Sequence, residues 1–179
     1  MNTFPPNSIK VIGVGNAWRG DDAAGLLVTR RLRQENLPQV EIAESPGNGH
    51  AISEAWENKA RVIVVDAIVS GGPVGEIYRF DAHEIGATLP VSHSPTTHGW
   101  GLSEALALGK VFQNLPPVLI IYGIEGKNFA LGDDLTPAVA AAIPEAARRV
   151  TQEIQALLEG QAPEEPPGQA TDPDASNHS

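Results

Sequence analysis

Acidic side chains follow two short apolar stretches of this sequence, and each stretch has the composition of a buried β-strand. Asp21 and Asp22 come after residues 11–14 and a glycine turn, and Asp66 closes the β-branched run 62–65. In open α/β sheets, ligand sites form at the carboxyl ends of the strands. If these two strands are neighbours, about 4.8 Å apart, the carboxylates face one crevice and can share a cation.

Histidines in a long segment without clear periodicity could complete such a site. His83, His93 and His98 lie within residues 83–100, and loops of this length commonly carry function. Two carboxylates and one imidazole suit a borderline divalent metal such as zinc or nickel, with positions left open for water or substrate. The pattern also allows a structural alternative, in which Asp66 accepts backbone N–H bonds and the histidines are solvated.

The adjacent pair Asp21 and Asp22 precedes an amphipathic helical pattern. Carboxylates are favoured at helix N-termini because free N–H groups and the helix dipole attract them. Only one residue can occupy the N-cap position. We therefore predict that one aspartate caps the helix and the other points into the site.

Several familiar catalytic motifs are absent from the sequence. Ser103 lies in G-L-S-E-A rather than in a G-x-S-x-G turn, and His83 begins no H-E-x-x-H zinc motif. There is no P-loop, and in residues 13–20 the third glycine comes two positions too late for a dinucleotide-binding loop. The chain has no cysteine, which excludes disulfides and thiolate chemistry and is consistent with a cytoplasmic protein.

Length and charge restrict the protein class further. The chain has 179 residues, which is typical of one domain, and a formal net charge of −10. Four acids after residue 160 contribute −4, so the remainder still carries −6. We therefore expect neither nucleic acid nor a membrane as a partner. No apolar run approaches the roughly 18 residues that a membrane span needs.

Apolar periodicity predicts alternating strands and helices, which is typical of a three-layer α/β/α sandwich with a mostly parallel sheet. Clean alternation in residues 76–80 favours a peripheral, antiparallel strand. We expect a flexible leader at 1–8, one domain at 9–159 and a disordered acidic, Pro-rich tail at 160–179. The predicted strands are 10–15, 40–43, 61–68, 76–80 and 118–124, and the predicted helices are 22–35, 50–58, 101–112 and 137–159.

The order of these blocks resembles that of the hydrogenase maturation endopeptidases, the proteases that trim the C-terminus of the [NiFe]-hydrogenase large subunit. The resemblance runs over residues 9–158. It rests on Gly13-Val14-Gly15-Asn16, Gly20-Asp21-Asp22 and Gly25, on Val65-Asp66-Ala67-Ile68, on His98 shortly before Gly101-Leu102, and on Leu135-Thr136-Pro137.

The resemblance implies an aspartyl endopeptidase whose catalytic and metal-binding residues are Asp22, Asp66 and His98, with His93 as the nearest alternative to His98. It implies that the substrate supplies the nickel, with cadmium or zinc able to occupy the same site. Asp21 would be a structural partner or an auxiliary acid. The general base stays open between a metal-polarised water and a carboxylate, either Asp21 or Asp66.

The implied fold is a phosphorylase/hydrolase-like sandwich with a five-stranded mixed sheet, strand order 2-1-3-5-4 and the fourth strand antiparallel. The implied partner is a large-subunit precursor, and we expect a cytoplasmic monomer. Ser45-Pro46-Gly47-Asn48-Gly49-His50 stands where the family usually has a Gly-Thr pair, and Ala23 where it often has glycine. Two alternatives stay open: a non-catalytic nickel-binding chaperone, and an α/β hydrolase acting on peptidyl-tRNA.

Overall fold

The strands and helices alternate along the chain. The computed structural model describes residues 8–85 and 101–160. The strands are β1 (Ile9–Val14), β2 (Val40–Ser45), β3 (Arg61–Ile68), β4 (Ile77–Asp81) and β5 (Val118–Glu125). The helices are α1 (Ala24–Leu32), α2 (Gly49–Trp56), α3 (Gly101–Val111) and α4 (Pro137–Glu159).

The five strands form one mixed sheet in the order β2-β1-β3-β5-β4. β1 pairs in parallel with both β2 and β3, and β3 pairs in parallel with β5. β4 lies at the edge and is antiparallel to β5, as the alternation in residues 76–80 predicts. The predicted fold class and strand order are therefore confirmed.

Two apolar clusters cover the two faces of the sheet, because alternate side chains of a strand point to opposite faces. One cluster joins β1, β3 and β5 to α1 and α4, with Val28, Ile63 and Val150 fully buried. The other joins the opposite faces of the same strands to α2 and α3, with Ile12 and Ile52 fully buried. Both faces of the central strands are covered, which explains their nearly continuous β-branched sequences.

The first helix is shorter than its sequence pattern suggests. 3₁₀ turns at Gly20–Ala23 and Arg33–Glu35 flank α1, whereas we predicted one helix over 22–35. A strict α-helical period and a helix with tightened ends give the same apolar spacing, so the sequence pattern does not separate them. Consequently Asp21 and Asp22 lie in a 3₁₀ turn that precedes α1.

Gly25 lets α1 approach the sheet closely. A Cβ atom at this position would overlap the carbonyl oxygen of Val65 and lie close to that of Val14. The start of α1 is thereby held over the ends of β1 and β3, together with the acidic turn before it.

Among the described helices, none combines the length and the apolarity that crossing a bilayer requires. The predicted leader and tail fall almost wholly outside the described residues.

Candidate active site

Asp22 and Asp66 lie at the carboxyl ends of two neighbouring parallel strands. Asp22 belongs to the 3₁₀ turn after β1, and Asp66 lies in β3, which continues for two residues beyond it. Gly13 of β1 is in register with Val65 of β3, so the two strands end side by side. Both acids are buried, with 2% and 6% of their surface exposed. The structure thus brings together two of the predicted site residues.

The charge of Asp22 disfavours the ionised form of Asp66. Burial first, and then the charge of Asp22, raise the pKa of Asp66 to about 8, and the Ala67 backbone N–H opposes this shift. Burial also raises the pKa of Asp22, and the positive charge of Arg19 and the backbone N–H of Asn16 offset part of that rise. The crevice therefore has more negative charge than its described surroundings compensate.

One oxygen of Asp22 is available for a ligand. Within the described residues, the buried Oδ2 atom of Asp22 has no hydrogen-bond partner. Buried oxygens without a partner are rare, because the desolvation of an unpaired carboxylate is costly. An acceptor left in this state beside a second carboxylate is chemically suited to a cation.

Gly15 allows the chain to pass directly beneath Asp22. Its φ angle is +138°, and a Cβ atom there would overlap the carbonyl oxygen of Asp22 and lie 3.7 Å from its Cγ atom. Any other residue would be strained at this φ angle and would displace the acid. The glycine after β1 is therefore required for the position of Asp22.

Asp21 has a different role from its neighbour. Its Oδ2 atom accepts hydrogen bonds from the backbone N–H groups of Lys127 and Asn128 and from the hydroxyl of Thr136, at 2.7–2.9 Å. Its Oδ1 atom accepts the backbone N–H of Thr136 at 2.7 Å. Although burial acts to raise the pKa of Asp21, these hydrogen bonds leave it lowered. Asp21 thus joins the acidic turn to the segment after β5.

The prediction that one aspartate caps the following helix is wrong. Neither the 3₁₀ turn nor α1 has a side-chain cap, because Asp21 bonds to distant N–H groups and Asp22 faces Asp66. Thr136 occupies the N-cap position of α4 as predicted. It makes no side-chain cap bond, however, and its hydroxyl donates to Asp21.

The third predicted ligand, His98, and its alternative, His93, lie outside the described residues. Across 8–85 and 101–160, no three His, Asp or Glu side chains converge as a metal site would require. His83 contacts the carbonyl oxygen of Pro116 through Nε2 at 2.9 Å.

Arg19 and Asn16 also shape the site, and the sequence interpretation assigned them no role. Both act on the charge of Asp22, and Arg19 additionally donates from Nε to the carbonyl oxygen of Phe129 at 3.2 Å. Both residues lie in the same short sequence block as the acids, and this proximity is the feature that could have indicated their role.

A cleft of about 460 Å³ between α2 and α3 is lined by neither Asp22 nor Asp66.

Comparison with known proteins extends these findings. A family model described as hydrogenase maturation protease matches residues 27–153, well over half of the chain. The chain belongs to the hydrogenase maturation protease family. It is therefore similar throughout its central part to hydrolases of the endopeptidase class, and the predicted family is confirmed.

Individual maturation proteases show the same relationship. The hydrogenase 2 maturation protease of Escherichia coli is 30% identical over 145 residues, which cover 79% of this chain and 87% of that protein. A putative hydrogenase maturation protease of Methanocaldococcus jannaschii is 29% identical over 153 residues, covering 82% and 96% respectively. Both relatives are matched over most of their length.

Solved structures of maturation proteases share the fold. The hydrogenase maturating endopeptidase HybD from E. coli superimposes with a TM-score of 0.70 at 26% identity, covering 83% of this chain and 92% of that one. The [NiFe] hydrogenase maturation protease HycI from Thermococcus kodakarensis gives a TM-score of 0.57 at 26% identity, with coverage of 86% and 93%.

Proposed function

We propose that this maturation protease removes the C-terminal extension of a [NiFe]-hydrogenase large-subunit precursor after nickel has been inserted. The observation that carries the proposal is the pair of buried carboxylates, Asp22 and Asp66, which repel each other at the ends of adjacent strands. A divalent cation carried by the substrate would remove this repulsion. The names of the relatives, which refer to hydrogenase maturation, support the choice of substrate.

We assign the nickel ligands to Asp22, Asp66 and His98. Gly101 begins α3 beside Gly47, since a Cβ atom on Gly101 would lie 3.0 Å from the Gly47 carbonyl oxygen. A Cβ on Gly47 would in turn lie 4.0 Å from Gly15, the residue beneath Asp22. His98 precedes Gly101 by three residues, and three residues of chain span at most roughly 11 Å. This connection supports His98 as the third ligand.

The same electrostatics explain why cleavage would wait for nickel. With a pKa of about 8, Asp66 retains a proton at neutral pH while Asp22 carries the negative charge. A divalent cation between the carboxylates favours the ionised form of both, so its binding releases that proton. A precursor without nickel cannot make this contact and is held less tightly.

Asp21 is unsuited to act as the general base. Both of its oxygens accept hydrogen bonds from the segment after β5, and its pKa is lowered. We therefore restrict the base to a nickel-polarised water or to Asp66. In either case the water oxygen bonds to the scissile carbonyl carbon, the C–N bond breaks, and a proton passes to the departing amine.

The test is cleavage of a purified nickel-loaded precursor, followed by mass spectrometry. The wild-type protein should release the C-terminal peptide, and Asp66→Asn and His98→Ala should not. The exposed acid Glu159 supplies a matched control, and Glu159→Gln should cleave normally. Full cleavage by Asp66→Asn would disprove the ligand assignment. Binding of the precursor without any mass loss would instead indicate a nickel-binding chaperone.

We further propose that the protein acts as a monomer in the cytoplasm. The absence of cysteine fits a reducing compartment. A mass measured by light scattering that corresponds to one chain of 18.9 kDa would agree with this proposal, and a mass of two chains would contradict it.

A further inference from the structure

Two large apolar side chains are exposed beside the acidic turn. Trp18 is 76% exposed and Leu131 is 77% exposed. A tryptophan this exposed is unusual in a folded protein, because its indole has a large apolar surface. Trp is also among the residues most enriched at the energetic centres of protein–protein interfaces.

Backbone hydrogen bonds hold these two residues next to each other. The N–H of Gly132, the residue after Leu131, donates to the carbonyl oxygen of Trp18 at 2.8 Å. The N–H of Trp18 donates to Asn16 Oδ1 at 2.9 Å. The chain is thus fixed on both sides while the side chains remain in solvent, so little backbone entropy would be lost on binding.

The same two segments are joined to each other through the acidic turn that carries Asp22. Arg19 donates to the carbonyl oxygen of Phe129, and Asp21 N–H donates to the carbonyl oxygen of Asn128 at 2.8 Å. The Asp21 carboxylate adds the hydrogen bonds from the segment after β5 described above. Trp18 and Leu131 therefore have a fixed position relative to Asp22.

A protein substrate whose interface is centred on Asp22 must also cover Trp18. Trp18 and Asp22 are four positions apart in the chain, which limits their distance to roughly 14 Å. A protein interface of ordinary size covers about 800 Å² on each partner, a patch roughly 30 Å across. Trp18 therefore falls within a patch of this size centred on Asp22, in whichever direction it lies.

We propose that Trp18 and Leu131 form an apolar docking contact for the polypeptide of the large-subunit precursor. This proposal rests on the proposed function and adds a recognition element that is separate from the nickel ligands. The contact holds the protein substrate whether or not nickel is present. It contributes to substrate binding and not to the chemical step.

Steady-state cleavage of the nickel-loaded precursor separates binding from chemistry. Trp18→Ala should raise KM about 10-fold with kcat changed less than about 2-fold, because a contact made equally in ground and transition states affects only binding. Leu131→Ala should raise KM about 3-fold, and Trp18→Phe should restore most of the loss. The thermal midpoint should not change, since both side chains are exposed.

Phe112 provides the matched control. It is 69% exposed and follows α3, an 11-residue helix that begins beside Gly47 and places its far end roughly 16 Å from Gly101. Phe112→Ala should therefore leave KM unchanged. An unchanged KM for Trp18→Ala, or an equal rise for Phe112→Ala, would overturn the docking contact.

Direct binding of the nickel-free precursor distinguishes this proposal from the proposed function. Surface plasmon resonance should show weaker binding by Trp18→Ala than by the wild type. Trp18-dependent binding without any cleavage of the nickel-loaded precursor would contradict the proposed function alone. Cleavage with no dependence on Trp18 in either assay would contradict the docking contact alone, and so would the absence of any binding of the nickel-free precursor by a wild-type protein that cleaves the nickel-loaded precursor.

Discussion

Two of the regions that bury carboxylates in the described structure differ in their surroundings. Between α4 and the sheet, Glu153 accepts two hydrogen bonds from the Arg79 guanidinium at 2.7 and 3.0 Å and one from the Tyr122 hydroxyl at 2.9 Å. In the crevice at the ends of β1 and β3, Asp22 and Asp66 face each other, and one oxygen of Asp22 has no described partner.

The difference separates an acid that supports the fold from an acid kept for a ligand. A buried charge is tolerated when a countercharge and hydrogen bonds compensate its desolvation, as they do for Glu153. Asp22 and Asp66 lack that compensation, so the folded protein holds them at a cost that a cation can relieve. The same difference separates two acids that are adjacent in the sequence, since both oxygens of Asp21 accept hydrogen bonds and one oxygen of Asp22 has no described partner.

The largest effect should come from neutralising the crevice. Asp66→Asn should lower the cleavage rate of a nickel-loaded precursor by about 10³-fold, because it removes a charge that both binds and polarises the cation. Its free energy of unfolding should stay about the same, since Asp66 is protonated at neutral pH and asparagine replaces one neutral polar side chain with another. Rate assays and urea unfolding on the same samples check both parts. A rate loss that merely followed a loss of stability would count against a ligand role.

The next largest effect should come from Asp21. Asp21→Ala should lower the free energy of unfolding by about 3 kcal/mol, because four donors lose a charged acceptor. Asp22→Asn, one residue further, should not destabilise the protein. Urea unfolding measures both variants, with the exposed Asp133→Ala as a control. Equal destabilisation by the Asp21 and Asp22 variants would remove the distinction between the two acids.

A smaller loss of stability is expected around Glu153, whose buried charge is compensated. Tyr122→Phe should lower the free energy of unfolding by about 1 kcal/mol, because Glu153 keeps both bonds from Arg79 after the hydroxyl is removed. Tyr78→Phe is the matched control, since its hydroxyl bonds to Glu76 in an exposed position and should change little. If Tyr122→Phe were neutral, the Arg79 ion pair alone would suffice to stabilise the buried Glu153.

The smallest effect concerns a partly exposed acid with two countercharges. Glu41 lies 2.9 Å from Lys10 and 2.7 Å from Lys59. Burial acts to raise the pKa of Glu41, but the two lysines outweigh it and leave the pKa below its ordinary value of 4.5. Its stabilisation is therefore present above pH 4.5 and is lost as the pH falls through the lowered value.

Glu41→Gln should accordingly cost less than about 1 kcal/mol at pH 7 and almost nothing at pH 3. Urea unfolding at the two pH values measures the difference. A cost that stayed constant with pH would mean that Glu41 contributes through packing rather than through charge.

The strands of the sheet could be predicted from the sequence because the patterns that specify them are local. The apolar run of β3 and the alternation of β4 each follow from the faces that a strand buries, and both were predicted correctly. The division between Asp21 and Asp22 was not predictable in that way. It depends on N–H groups 106 to 115 residues away, which no local pattern specifies.

Two further buried acids escaped the sequence interpretation for related reasons. Glu125 ends β5 one residue beyond its predicted end, and its partners are the Ser70 and Gly71 N–H groups and the Ser70 hydroxyl. Glu153 has the spacing of an ordinary helix residue, and its partners lie on other elements. Burial of an acid is a property of the assembled fold, so it becomes visible only with the partners in place.

The hydrogen bonds of Asp21 have a consequence for the order in which parts of the protein can fold during synthesis. Their partners belong to residues 127–136, which leave the ribosome long after the acidic turn. An emerging chain that lacks this segment cannot fix the turn, and contacts between such distant residues form slowly. The acids of the crevice therefore reach their final geometry only after residues 127–136 have emerged, so a partial chain without this segment would have no proteolytic activity.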